Sequence, residues 1–425
     1  MFLTKLDNRA AVKGSRDPLG VQPIWTRLGR HVVGNLTTVS GTVTEYTTVL
    51  LGYHLADEVE RATGGSRLDT FLKWEQLVAY ARGVVNNDWV FRGTERAQER
   101  FNDKGHGRIG ADRDSQIMSD QKAYGLWGLY SAPSTASGFL DGSPPRLTPL
   151  AAAHVESQYL PVLNAGGQAN KRLMQLLSRE SSKIDLRRED DELLQSVARV
   201  HKRKLSKADI RFFDHHLLEG GPSDRTGGLQ RIFADLLEPL AGTGTFSWST
   251  STLRKIAAAA STRGSDGKRL SEKLLRIADC ESVMAPAFAA FSYLQTQDEA
   301  PIDSILRAMK AQWGKGLKSI DVDQFADLRN ELDSDPDTGD RWIQIARATR
   351  DGAYQDLIEL LVRHNSAVMG IRGGAPWLEL RHGRLKVKYR DETAALPDAK
   401  EAERLWRHPY FLEPLRVVVG ILRPH

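Results

Sequence analysis

Cysteine is nearly absent: Cys280 is the only one in 425 residues. Intrachain disulfides and a thiolate zinc cluster are therefore excluded, and a reducing cytosol fits. Cys280 falls inside a helical pattern and reads as a small core residue rather than a nucleophile. No apolar run reaches the roughly 18 residues that a membrane span needs. The opening MFLTKLDNR lacks an apolar core region, so no signal peptide is expected and the chain reads as cytoplasmic. There is no GxxxxGK[ST] loop, no strand-linked GxGxxG, and no GxSxG, HExxH or CxxC. Catalytic residues are therefore not assigned, and no cofactor or metal is expected. Charge of one sign does not dominate either: 59 Lys+Arg oppose 54 Asp+Glu, for a net +5. That mild surplus permits a nucleic-acid partner without requiring one.

Against these absences, the most organised stretch is Ser119 to Tyr159. Leu126, Trp127 and Tyr130, with Tyr124 before them, follow helical spacing. Ser131-Ala132-Pro133 is expected to stop that helix, because Pro133 lacks an N–H and restricts the residue before it. A short second helix is then expected over 133–139, carrying Ser134, Thr135 and Ser137. Asp141 to Pro145 reads as a hairpin tip, Arg146-Leu147-Thr148 as its returning strand, and Thr148-Pro149 as the start of a third helix.

That order resembles a winged helix-turn-helix. The resemblance implies that Ser134 and Thr135 face bases or phosphates and that Arg146 meets a phosphate. The second helix lacks the Arg, Lys, Asn or Gln of bidentate base readout, and winged helices also serve as protein adaptors.

Most of the remaining chain reads as helix. A threonine-rich loop passes into a helix ending near Glu60, and a clearer one covers Leu68 to Val85. Arg92, Arg96, Arg100, Lys104, Arg108 and Arg113 recur every four to five residues, a cationic face or a solvated helix balanced by Glu95, Glu99 and Asp103. Residues 168–200 read as exposed, charge-alternating helix. His201-Lys202-Arg203-Lys204 is a local basic cluster. Phe213-Asp214-His215-His216 suggests a metal site only weakly, since adjacent histidines point to different faces of a helix. Residues 250–365 read as all helical, with a break or kink expected at Pro286.

The end of the chain changes character. Trp377 to Arg381, then His382-Gly383, then Arg384 to Arg390 alternate as a β-hairpin with a two-residue turn. Leu385, Val387 and Tyr389 are expected inside; Arg384, Lys386, Lys388 and Arg390 outside, spaced to meet a phosphate backbone. The competing expectation is an edge strand guarded by its charges. A final helix is expected over Glu401 to Leu412, followed by an apolar tail that docks on the core.

The expected architecture is mainly α: a multi-helix protein with an embedded winged helix-turn-helix and a C-terminal β-hairpin plus helix. Expected segments are a helical 1–115, the winged helix at 116–163, a helical 164–365 and the hairpin unit at 366–425. The layout is also similar to uncharacterised bacterial proteins of defence or restriction gene neighbourhoods, on the strength of Leu36-Thr37-Thr38, the winged helix and the Trp377–Leu422 unit. The leading expectation is a protein that binds double-stranded DNA through phosphates, as part of an anti-phage defence complex with protein partners and without a membrane. The alternatives are a nuclease or DNA glycosylase-type hydrolase lacking a recognisable motif, and a protein–protein adaptor.

Overall fold

Serine and aspartate side chains set several helix starts. Ser66 accepts a hydrogen bond from the Asp69 amide at 3.3 Å and opens the helix Arg67–Asn86. Ser206 and Asp209 cap Lys207–Phe213 reciprocally. Ser249 accepts from the Thr252 amide at 3.0 Å ahead of Thr250–Ser261. Each cap satisfies an amide with no partner inside its helix. The result, a computed structural model, is mainly helical, with 62% helix against 6% strand. It describes residues 17–165, 168–202, 204–242, 244–333 and 337–424. Arg203 of the basic cluster lies outside the described residues. Two compact units emerge, each discontinuous in sequence. Unit one is drawn from Met1–Val32 and Thr243–Tyr410, unit two from Val33–Gly242 and Phe411–His425.

Unit one is arranged along the helix Gly264–Gln295, whose 32 residues span about 48 Å. Thr250–Ser261 folds against it as a helical hairpin. The expected break at Pro286 does not occur: Cys280, Met284, Pro286 and Ala287 are all buried on this continuous helix. Packing there outweighs the one ladder bond that proline removes. Farther on, the structure places a break that the sequence reading lacked. Thr338–Asp351 and Tyr354–Ile371 are separate helices, turned at Gly352 with φ +69°. The C-terminal hairpin is present as expected. Leu378–Arg381 pairs antiparallel with Arg384–Val387, and Arg381 faces Arg384 across the turn. His382 (φ 49°) and Gly383 (φ 72°) both take the left-handed conformation of a tight two-residue turn. The strand is shorter than its alternation suggests, ending at Val387. Tyr389, expected inside, is 47% exposed, with its ring 4.4 Å from that of Trp377. The helix expected over Glu401 to Leu412 shrinks to Ala399–Ala402.

Unit two packs Val43–Thr63 against Arg67–Asn86. Its Leu229–Ala241 helix receives Leu412–Leu422, which buries Leu415, Val418, Val419 and Leu422. The apolar tail therefore docks as expected. A two-stranded sheet was not anticipated. His106–Gly110 pairs antiparallel with Ser181–Asp185, inside the stretch that reads as charged helix. Five residues of weak alternation are too few to separate strand from solvated helix by sequence pattern.

Between residues 121 and 163 the order is helix, break, helix, hairpin, helix, as expected, but the break has moved. Leu126–Ala136 is one continuous helix with Pro133 inside it, and the break falls at Gly125 instead. Pro133 removes the one ladder bond its N–H would have made to the Leu129 carbonyl, and its ring is buried with Leu126 and Tyr130. The hairpin Leu140–Asp141 with Arg146–Leu147 and the Thr148-capped helix Pro149–His154 stand where they were expected.

Candidate functional site

The shift of that break changes what the helix can present. Ser134, expected to face a base or phosphate, is fully buried. On the single helix Leu126–Ala136 it belongs to the buried face, with Leu126, Tyr130 and Pro133. Thr135 remains exposed, with its hydroxyl donating to the Ser131 carbonyl at 3.1 Å. Arg146 is exposed but engaged: its guanidinium reaches Asp57 at 2.7 Å and Glu60 at 2.6 Å. Hydrogen bonding to Glu60, chiefly, raises its pKa further. Arg67 shares the same Asp57 oxygen at 2.7 Å. Two carboxylates thus balance two guanidinium groups at this edge of the hairpin.

The basic strand is also balanced, by acids the alternation pattern does not contain. Lys386 pairs with Glu299 at 2.8 Å and with Asp298 at 3.6 Å. Lys388 pairs with Glu379 on the opposite strand, and Arg390 with Asp298. Arg384 donates to the Glu299 carbonyl at 2.6 Å. The Val387 amide, foremost, holds Asp298 below the ordinary aspartate range, and the Lys388 ammonium does the same for Glu379. These side chains point outward as expected, yet they form an ion-pair network that ties the hairpin to the Asp298-Glu299 loop. The competing expectation, an edge strand guarded by its charges, does not describe them either: the Glu299 amide donates to the Leu385 carbonyl at 2.8 Å and the Leu385 amide to the Ala300 carbonyl at 3.1 Å, so that edge is already paired.

The arginine series at 92–113 does not share one helix face. Arg96 lies on the helix Thr94–Glu99, and Arg108 on the strand His106–Gly110. Arg100 turns inward and donates to the Tyr80 hydroxyl and to the carbonyls of Asp114, Ser115 and Gln116 at 2.6–2.9 Å. In the 201–204 cluster, His201 bonds Thr48 and the Val197 carbonyl, each at 3.0 Å, and burial lowers its pKa to about 4. It is neutral at pH 7, while Lys202 and Lys204 are exposed. The Asp-His-His stretch divides as its spacing suggests: His216 is fully buried, and His215 is exposed and paired with Glu219. No group of three or more metal-ligating side chains assembles among the described residues.

A further cationic surface lies where the sequence reading saw only helices. Residues 250–276 carry seven Lys+Arg against two Asp+Glu. They form the helical hairpin Thr250–Ser261 and the first half of Gly264–Gln295, with residues 262–266 exposed at its tip. Arg254 pairs with Asp279 at 2.6 Å, Arg269 with Asp266 at 3.0 Å, and Arg276 with Glu331 at 2.5 Å. Lys255 and Lys268 are exposed and have no carboxylate partner among the described residues. Counting charge by window, rather than seeking a strand alternation, would have found this surface.

Comparison with models of protein families, with curated proteins and with solved structures returns no match.

Proposed function

We propose that this chain binds double-stranded DNA through its phosphates, with the helical hairpin of Thr250–Ser261 and Gly264–Gln295 as the principal contact. One observation carries the reading. Residues 250–276 hold a surplus of five positive charges, as large as that of the whole chain, on a largely exposed helical hairpin. Elsewhere, at Arg146 and on the C-terminal strand, cations are already engaged by carboxylates. A phosphate must displace such a carboxylate before it gains the cation, whereas Lys255 and Lys268 need no exchange. The contact is to backbone and carries no sequence readout, since the helix Leu126–Ala136 buries Ser134 and offers no bidentate side chain.

The test is binding of a labelled duplex to the Lys255→Glu/Lys268→Glu variant, compared with Lys386→Glu/Lys388→Glu. Removing a cation that neutralises a phosphate lowers affinity and flattens its salt dependence. The first variant is expected to bind at least tenfold more weakly at low salt, roughly the effect of two such cations. The second should be weakened less. A folded Lys255→Glu/Lys268→Glu protein with wild-type affinity would remove this surface from the account.

A further inference from the structure

In unit two, the sheet of His106–Gly110 and Ser181–Asp185 has one edge covered and one edge open. The Leu186 amide donates to the Gly105 carbonyl at 2.9 Å, and this fixes the parity of the ladder. Gly107 with Ile184, and Ile109 with Ser182, are then the hydrogen-bonded pairs. Ser181, Lys183 and Asp185 fall in the alternate pairs, so their amides and carbonyls point away from His106–Gly110. On the far side of His106–Gly110 the edge is taken at Gly110. There the Gln76 side chain accepts from the amide at 3.0 Å and donates to the carbonyl at 2.9 Å. The outward amides and carbonyls of Ser181, Lys183 and Asp185 have no partner among the described residues. All three residues are exposed, while Ile184 between them is buried on the inner face.

An open edge accepts another extended chain, and the side chains along it select which one. Lys183 and Asp185 stand on the same exposed face of the strand, and neither forms an ion pair among the described residues. Lys183 alone would guard the edge against pairing. A second copy of the same strand, antiparallel about a two-fold axis at Ile184, answers that charge. This register sets Lys183 of each copy directly opposite Asp185 of the other. Both are hydrogen-bonded pairs, in which the facing residues exchange two backbone bonds, and opposite charges on facing residues add to them. An axis at Lys183 would instead oppose two ammonium groups, and an axis at Asp185 two carboxylates.

We infer that two copies of this chain associate through Ser181–Asp185, joining their two-stranded sheets into one antiparallel sheet across a two-fold axis at Ile184. Such an interface is self-complementary, so every contact occurs twice. The strand has five residues, against about 20–30 per side in a standard stable interface, so the dimer is reversible and depends on concentration. The contact lies in unit two and stands independently of the proposed duplex contact, which belongs to unit one.

Sedimentation velocity of the full chain over a concentration series tests this, with circular dichroism to confirm that each variant is folded. The wild-type chain is expected to shift reversibly from monomer to dimer as concentration rises. Lys183→Glu sets two carboxylates opposite each other, and Asp185→Lys sets two ammonium groups opposite each other. Each variant alone should therefore dimerise about tenfold more weakly, since attraction becomes repulsion at two places. Mixed in equal amounts, the two variants should associate as the wild type does. The introduced glutamate of one then faces the introduced lysine of the other, and the remaining native Lys183 and Asp185 face each other as before. A wild-type chain that stays monomeric throughout, a folded single variant that dimerises like the wild type, or a mixture that associates no better than its components would each overturn the inference.

Discussion

At Glu75, burial and hydrogen bonding act in opposite directions. Burial pushes its pKa up to about 7, against the Leu126 amide and the Gln121 side chain, which pull it down. Between the ordinary glutamate range and about 7, the folded chain holds a proton that the unfolded chain has released. Stability from this residue therefore falls as pH rises through that window and is level above it. Glu75→Gln, which cannot ionise, should cost less stability at pH 8 than at pH 5 in urea unfolding; an equal cost at both would show that the carboxylate is not held this way. Gly125→Ala tests the same contact from the backbone side. Its Cβ would stand 2.3 Å from the Gln121 carbonyl oxygen and close to both Glu75 oxygens. A loss of about 1–3 kcal/mol, the usual range for overpacking, is expected as a lower urea midpoint with unchanged slope. The sequence did contain a trace of this contact. Glu75 interrupts the apolar run Phe71 to Ala81, though nothing local shows that Gln121 and Leu126 close over it.

At the scale of elements, the C-terminal hairpin illustrates what pattern reading reaches. Alternation and His382-Gly383 announce the strands and the turn. The partners of its cations, Asp298 and Glu299, lie more than 80 residues earlier and could not be read from alternation. Prolines mislead for a related reason. Pro133 and Pro286 each mark a local break that tertiary packing overrides. The acid network makes its own prediction. Asp298 and Glu379 are held below their ordinary values, so their contribution is present above those values and is lost as pH falls through the depressed ones. Amide exchange at Lys388, whose N–H donates to the Trp377 carbonyl at 2.8 Å, should stay protected at neutral pH and open only in acid. Asp298→Asn should open it at neutral pH, at a cost of about 1 kcal/mol, because partly exposed pairs are screened by solvent. Protection unchanged in that variant would mean that the network does not hold the hairpin.

Over the whole molecule, helical content was legible because most long helices bury periodic apolar residues. The discontinuous units were not, since nothing in local composition joins residues 17–32 to 244–410 or 411–424 to 33–242. The unit assignment predicts that removing residues 411–425 exposes the Leu229–Ala241 helix while leaving exchange protection in Gly264–Gln295 unchanged. Equal loss in both helices would contradict it. The cationic hairpin was missed for another reason: its helices were recognised, but their charge was not weighed as a surface. The central claim is that this surface binds duplex through phosphates, and the salt dependence of duplex affinity tests it most directly. If Lys255 and Lys268 each neutralise one phosphate, they contribute about −1.8 to the slope of log affinity against log salt, and the Lys255→Glu/Lys268→Glu variant should be flatter by about that much. A slope near zero, or one the variant leaves unchanged, would contradict the account.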